Sequence, residues 1–140
     1  MTTITIKVHG LNGQPDHLRA IPCRYRVGAL AVTPRLGEDY EAMRPRCYNV
    51  THVPSGCTVN TRPLDSVAEG TDVVDILTAD AFPFVQCWAA DDPIRVSGNQ
   101  YQAFGKAVHL ALEQARLAEI WRVSTRSMKR RATIAAKRAA

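Results

Sequence analysis

The sequence predicts an α+β fold, with an antiparallel sheet of about four strands packed by a short helix near 64–80 and a long C-terminal helix over 99–123 or beyond. Three observations predict it. Apolar residues alternate with period two near the N-terminus, a hairpin signature occupies 47–61, and no Gly or Pro after Gly105 interrupts a helical apolar stripe. At 140 residues, 46% hydrophobic and 22% charged, the chain can bury the core of one ordinary domain without disulfides.

The first strand is read from Ile4, Ile6 and Val8, which alternate with Thr3, Thr5, Lys7 and His9. Gly10 to Asp16 carries loop residues. Ile21–Val32 reads as one or two strands, with Gly28 marking a bend. The proline-punctuated stretch from Thr33-Pro34 to Arg44-Pro45 reads as a long surface loop, with one helical turn around Glu38–Met43. Cys47–Val53 and Cys57–Thr61 form a hairpin around Pro54-Ser55-Gly56, Gly56 taking the left-handed position of a three-residue loop. That register sets Val53 against Cys57, His52 against Thr58 and Thr51 against Val59. Alternation then puts Cys47 and Cys57 on the face opposite His52.

Ser66-Val67-Ala68-Glu69 has the form of a capping box, opening a helix through Val67, Gly70, Val74 and Leu77. Phe82–Ala89 is a continuous apolar run, read as a buried strand or crossover. A second capping box at Ser97–Gln100 opens the long helix. Tyr101, Phe104, Val108, Leu112 and Ala115 make its stripe, and Leu117, Ile120 and Trp121 extend the apolar surface.

Charge divides the chain. All 13 Asp and Glu and 11 of the 18 Lys and Arg fall within 1–121, a net of −2. Residues 122–140 hold the other seven bases and no acid: Arg122, Arg126, Lys129, Arg130, Arg131, Lys137 and Arg138. The domain is therefore read as 1–121, with 122–140 a basic segment that is either a helix extension or a flexible tail. Such a segment points to nucleic acid or another acidic partner. If helical, it puts Arg126, Lys129, Arg130 and Lys137 on a common side. No aromatic follows Trp121, so contact with nucleic acid would be directed at the backbone rather than at bases.

The four cysteines, Cys23, Cys47, Cys57 and Cys87, have no CxxC spacing, and no secretory signal precedes them, so free thiols in a cytoplasmic setting are expected. No apolar run is long enough for a membrane span. Neither a metal site nor a cofactor site is expected. Cys47, His52 and Cys57, with Cys23 or Cys87 as a fourth ligand, lack the paired spacing that closes a zinc tetrahedron. Ser55 with His52 and Asp65 lacks a nucleophile elbow, and no catalytic residue is assigned. Asp65, Glu69 and Asp72 would share one helix face, read as a solvated acidic face.

The stretch Tyr48-Asn49-Val50-Thr51-His52-Val53-Pro54-Ser55-Gly56-Cys57-Thr58-Val59, followed by a short helix, resembles small uncharacterised accessory proteins of phages, prophages and plasmids. The resemblance implies a non-enzymatic binding protein, a mobile-element accessory or inhibitor. Its partner would be a protein or nucleoprotein, such as a host-defence complex (as for anti-CRISPR-like inhibitors) or a DNA-transaction complex. The alternatives are a nucleic-acid-binding protein using the basic C-terminal segment and, third, a small hydrolase or transferase with His52 as base.

Overall fold

The computed structural model describes residues 2–8, 10, 12–36, 43–54, 56–79 and 98–139. Strands β1 (Thr3–Val8) and β2 (His17–Pro22) form an antiparallel ribbon, with Ile4 opposite Ile21 and Ile6 opposite Arg19. Strands β3 (Tyr25–Val27), β4 (Leu30–Leu36), β5 (Met43–His52) and β6 (Cys57–Thr58) form a second antiparallel sheet in the order β3-β4-β5-β6. Helix α1 (Val67–Thr78) and helix α2 (Gly98–Ala139) follow. The fold is α+β, as predicted, with its strands divided between two sheets rather than gathered in one. No helix among the described residues is long and apolar enough to cross a membrane.

Strand β4 organises the core because alternate residues serve different layers. Leu30 and Val32 pack in one cluster with Val50, Leu64, Val73, Val74 and Leu77, together with Val108, Ala111, Leu112 and Ala115 of α2. Ala31, between them in sequence, packs in the other cluster with Ile4, Ile6, Val8 and Ile21. A strand's side chains point alternately to its two faces, so β4 is sandwiched between ribbon and helices. The Thr33 and Thr51 hydroxyls satisfy each other at 2.9 Å on the buried face that carries Ala31.

Helix α1 approaches this strand closely. A Cβ added at Gly70 would lie 2.8 Å from Val32 Cγ1 and 3.0 Å from Cγ2, so glycine at this position is a packing requirement. Its cost in helix propensity is offset by the contact it permits.

Several sequence expectations are corrected. Residues 17–20 form part of β2, although Leu18 and Ala20 alternate out of phase with the buried Ile21 and Leu18 is exposed. The expected loop from Thr33 onward is strand through Leu36, and strand resumes at Met43. Pro34 is tolerated because Val32 directs its carbonyl to Arg24 on the β3 side, and Pro34, two residues on, turns its missing N–H to that same edge. The expected helical turn lies outside the described residues except Met43, which is strand.

The hairpin register is shifted by one residue. His52 pairs with Cys57 and Thr51 with Thr58, around a four-residue loop. Gly56 has the predicted positive φ, 71°, and its N–H donates to the His52 carbonyl at 2.8 Å. His52 and Cys57 therefore share a face, contrary to expectation. The Phe82–Ala89 run, Ser97 and the side chains of Tyr101 and Phe104 lie outside the described residues.

Candidate basic interface on the C-terminal helix

The site is built from the way α1 holds α2. Ser66 caps α1, its hydroxyl accepting from the Glu69 N–H at 3.0 Å, as the capping box predicts. Glu69 itself is fully buried. Its Oε1 accepts from Arg62 Nη1 at 2.8 Å and from the Asp65 N–H at 3.3 Å. The second guanidinium nitrogen of Arg62 donates to the Leu112 carbonyl of α2 at 2.8 Å. One arginine thus joins the helix entry, a buried carboxylate and the facing helix.

A ladder of charges continues along the seam. Arg116 pairs with Asp65 and stands 3.9 Å from Glu69 Oε2. Ser66 donates its hydroxyl to Glu119 Oε2 at 2.8 Å. Arg122 donates to that same oxygen at 2.6 Å and to Asp72 at 2.8 Å. A spacing of three puts Glu69 and Asp72 on one face of α1, with Asp65 just ahead of the Ser66 cap, and spacings of three put Arg116, Glu119 and Arg122 on one face of α2. These acids are therefore not a free solvated face: Glu69 is buried, Asp72 half-buried and Asp65 exposed, and each pairs with an arginine.

Electrostatics follow from this pairing. Burial pushes the Glu119 carboxyl up, but hydrogen bonds from Ser66 and Arg122 and the charges of Arg122 and Arg126 outweigh it, so the carboxyl sits below its usual range. Burial works against the charged form of Arg122, yet hydrogen bonding to Asp72 and Glu119 raises its pKa further.

The seven bases of 122–140 fall into two groups. Arg122 is half-buried and engaged on both sides, so it belongs to the fold rather than to a free basic surface. Arg126 is exposed but stands 3.7 Å from Glu119 Oε1. Lys129, Arg130, Arg131, Lys137 and Arg138 are exposed and have no carboxylate partner among the described residues. Every residue from Val123 to Ala139 is exposed, so α2 projects as a rod of roughly 25 Å at 1.5 Å per residue. The basic segment is thus a helix.

The rod has two unlike sides. Arg126, Lys129, Arg130 and Lys137 continue the line of Ala115, Glu119 and Arg122, the face that packs on α1 further back. Where the core runs out, the same face becomes cationic. Arg131 and Arg138 do not flank it; they lie about 120–140° around the helix from it. The other side carries exposed Trp121 and Met128, followed by Ala132, Ala135 and Ala139. Leu117, Ile120 and Trp121, expected to extend the apolar packing, are instead exposed, because buried apolar packing on α2 ends at Ala115.

The remaining candidates converge less. His52 is fully buried, Cys57 is exposed and Cys47 is half-buried. Among the described residues, no group of three or more His, Cys, Asp or Glu is placed to hold a metal ion. Ser55 lies outside the described residues. The residues that sequence reasoning missed are Arg62, Arg116 and Glu119, whose partners on α1 or α2 lie up to 53 positions away. Spacings of three and four within Asp65-Glu69-Asp72, and of three within Arg116-Glu119-Arg122, are the available signal.

No protein-family model matches the chain, and no curated protein or solved structure matches it. The functional reading therefore rests on the chain's own geometry.

Proposed function

We propose that the protein is a non-enzymatic binding protein, of the mobile-element accessory or inhibitor kind, whose contact element is the projecting basic half of α2. The observation that carries this reading is the alignment of Lys129, Arg130 and Lys137 on an exposed helix, with the root of that helix fixed by Arg122 to Glu119 and Asp72. A folded rod presents its cations already ordered, so less freedom is lost on binding than from a disordered tail. The partner is a macromolecule with an acidic face, such as a host-defence or DNA-transaction complex. Long-range attraction then speeds encounter, and contacts on the body supply specificity.

Direct binding of nucleic acid is the second reading, favoured by the alignment of these bases with Arg126, three residues before Lys129 and four before Arg130. It predicts contact with phosphates alone, because no aromatic follows Trp121. A hydrolase or transferase using His52 draws no support from a side chain that is fully buried. The test is a titration of the full chain against duplex DNA and against polyglutamate across a salt series. Binding to either at low salt, weakening as salt rises, supports the reading. No binding to either at low salt overturns it.

A further inference from the structure

The outer face of α2 carries a pattern that the basic surface does not use. Leu110, Gln114, Leu117, Trp121, Ser124, Met128 and Arg131 follow one another at alternating spacings of four and three, and Ala107 precedes them by three. This is the period of a two-helix seam. The four large apolar members stand open, with Leu110 51%, Leu117 62%, Trp121 72% and Met128 66% exposed. At 100° per residue the seam lies roughly 160° around the helix from Val108, Ala111, Leu112 and Ala115, which face the core. Val123 and Ile134 are also exposed but lie off it.

We propose that this face pairs with its own copy, forming a two-fold dimer through antiparallel α2 helices. The reason is self-complementarity. In the antiparallel register that sets Leu117 against Trp121, Leu110 falls against Met128 and Gln114 against Ser124. Every apolar seam residue meets an apolar one, and the two uncharged polar residues meet each other. Arg131 falls at the rim over Ala107, where its stem covers a methyl group and its head reaches water. A two-fold interface needs this reciprocity, in which residue i meets j and j meets i.

Charge excludes the parallel alternative. A parallel pair sets Arg131 against Arg131 and lays two segments of seven bases side by side. The antiparallel pair separates the two Arg131 positions by about 36 Å along the axis, well beyond the screening length at physiological salt. Each body sits on the outer side of its helix, and the two basic rods leave at opposite ends.

Sedimentation equilibrium of the full chain, from low to high micromolar concentration, tests the proposal. The expected result is a species of twice the 15.4 kDa chain mass. Trp121→Lys, at an exposed position that leaves circular dichroism unchanged, should weaken association about tenfold or more. Leu110→Glu and Met128→Lys should each weaken it alone. Combined in one chain they should restore it, because the new charges pair across the interface only in the antiparallel register. A monomer at every concentration overturns the proposal, as does a combined variant weaker than both singles. A monomer whose Trp121 fluorescence shifts to the blue on phosphatidylserine vesicles would assign the face to a membrane surface and equally overturn it.

Discussion

Arg62 and Glu69 form a half-buried ion pair at the entry to α1, the guanidinium 2.8 Å from a carboxylate with no exposed surface. The same guanidinium reaches the Leu112 carbonyl, so the pair also ties α1 to α2. Removing one partner should hurt more than neutralising the other. Arg62→Ala strands a buried charge, at a cost of roughly 2–4 kcal/mol after allowance for the exposed third of the arginine. Glu69→Gln keeps the shape and a hydrogen-bond acceptor and should cost about 1 kcal/mol. Urea unfolding of both variants checks the order. An Arg62→Ala variant as stable as Glu69→Gln would contradict it.

The state of Glu119 predicts an acid limb. Its folded-state pKa lies below the unfolded value, near 4.5. The stabilisation is therefore fully present above that pH and is lost as pH falls through the depressed folded value. Stability should decline below about pH 4.5, and Glu119→Gln should flatten this part of the profile. Thermal unfolding between neutral and acid pH measures both curves. Parallel curves for the two proteins would rule out Glu119 as a source of the acid sensitivity.

Packing of α1 on β4 predicts a paired substitution. Gly70→Ala favours the helix by about 1 kcal/mol in isolation, yet its Cβ would meet Val32 within 3.0 Å. Val32 is fully buried and branched at Cβ, so it has little room to yield. The net effect should be a loss of about 1–3 kcal/mol. Adding Val32→Ala should make the Gly70→Ala step less harmful than in the parent, which a double-mutant cycle by denaturant unfolding reads directly. Additive losses would mean that the contact does not set the glycine.

How much of this was legible in the sequence depends on the range of the contact involved. Ile4, Ile6 and Val8 alternate in sequence and are buried in the structure, and Ser66 caps the helix that its spacing to Glu69 announces. Both signals are local. The hairpin register was not legible, because Pro54-Ser55-Gly56 fits loops of three or four residues equally, and one extra residue moves His52 onto Cys57. Pro34 read as loop punctuation because a proline's tolerance in a strand depends on which edge lacks a neighbour. Asp65, Glu69 and Asp72 read as a solvated face because Arg116 and Arg122, the partners of Asp65 and Asp72, stand about fifty residues away, and Arg62, the partner of Glu69, precedes the helix. The seven bases read as one segment, whereas Arg122 is held by Asp72 and Glu119, and the bases beyond Arg126 face solvent with no carboxylate partner among the described residues.

The central claim is that the projecting basic face of α2 binds an acidic partner. Its most direct test is the slope of log affinity against log salt for the full chain and for the triple variant Lys129→Ala, Arg130→Ala, Lys137→Ala. Alanine keeps the helix, so only the charge is removed. With duplex DNA as the polyanion, each lost phosphate contact lowers the slope by about 0.9. The variant should therefore bind more weakly, with a slope shallower by roughly 2–3. Arg131→Ala with Arg138→Ala, on another side of the helix, should change it less. Equal affinity and slope for the triple variant and the parent would contradict the claim.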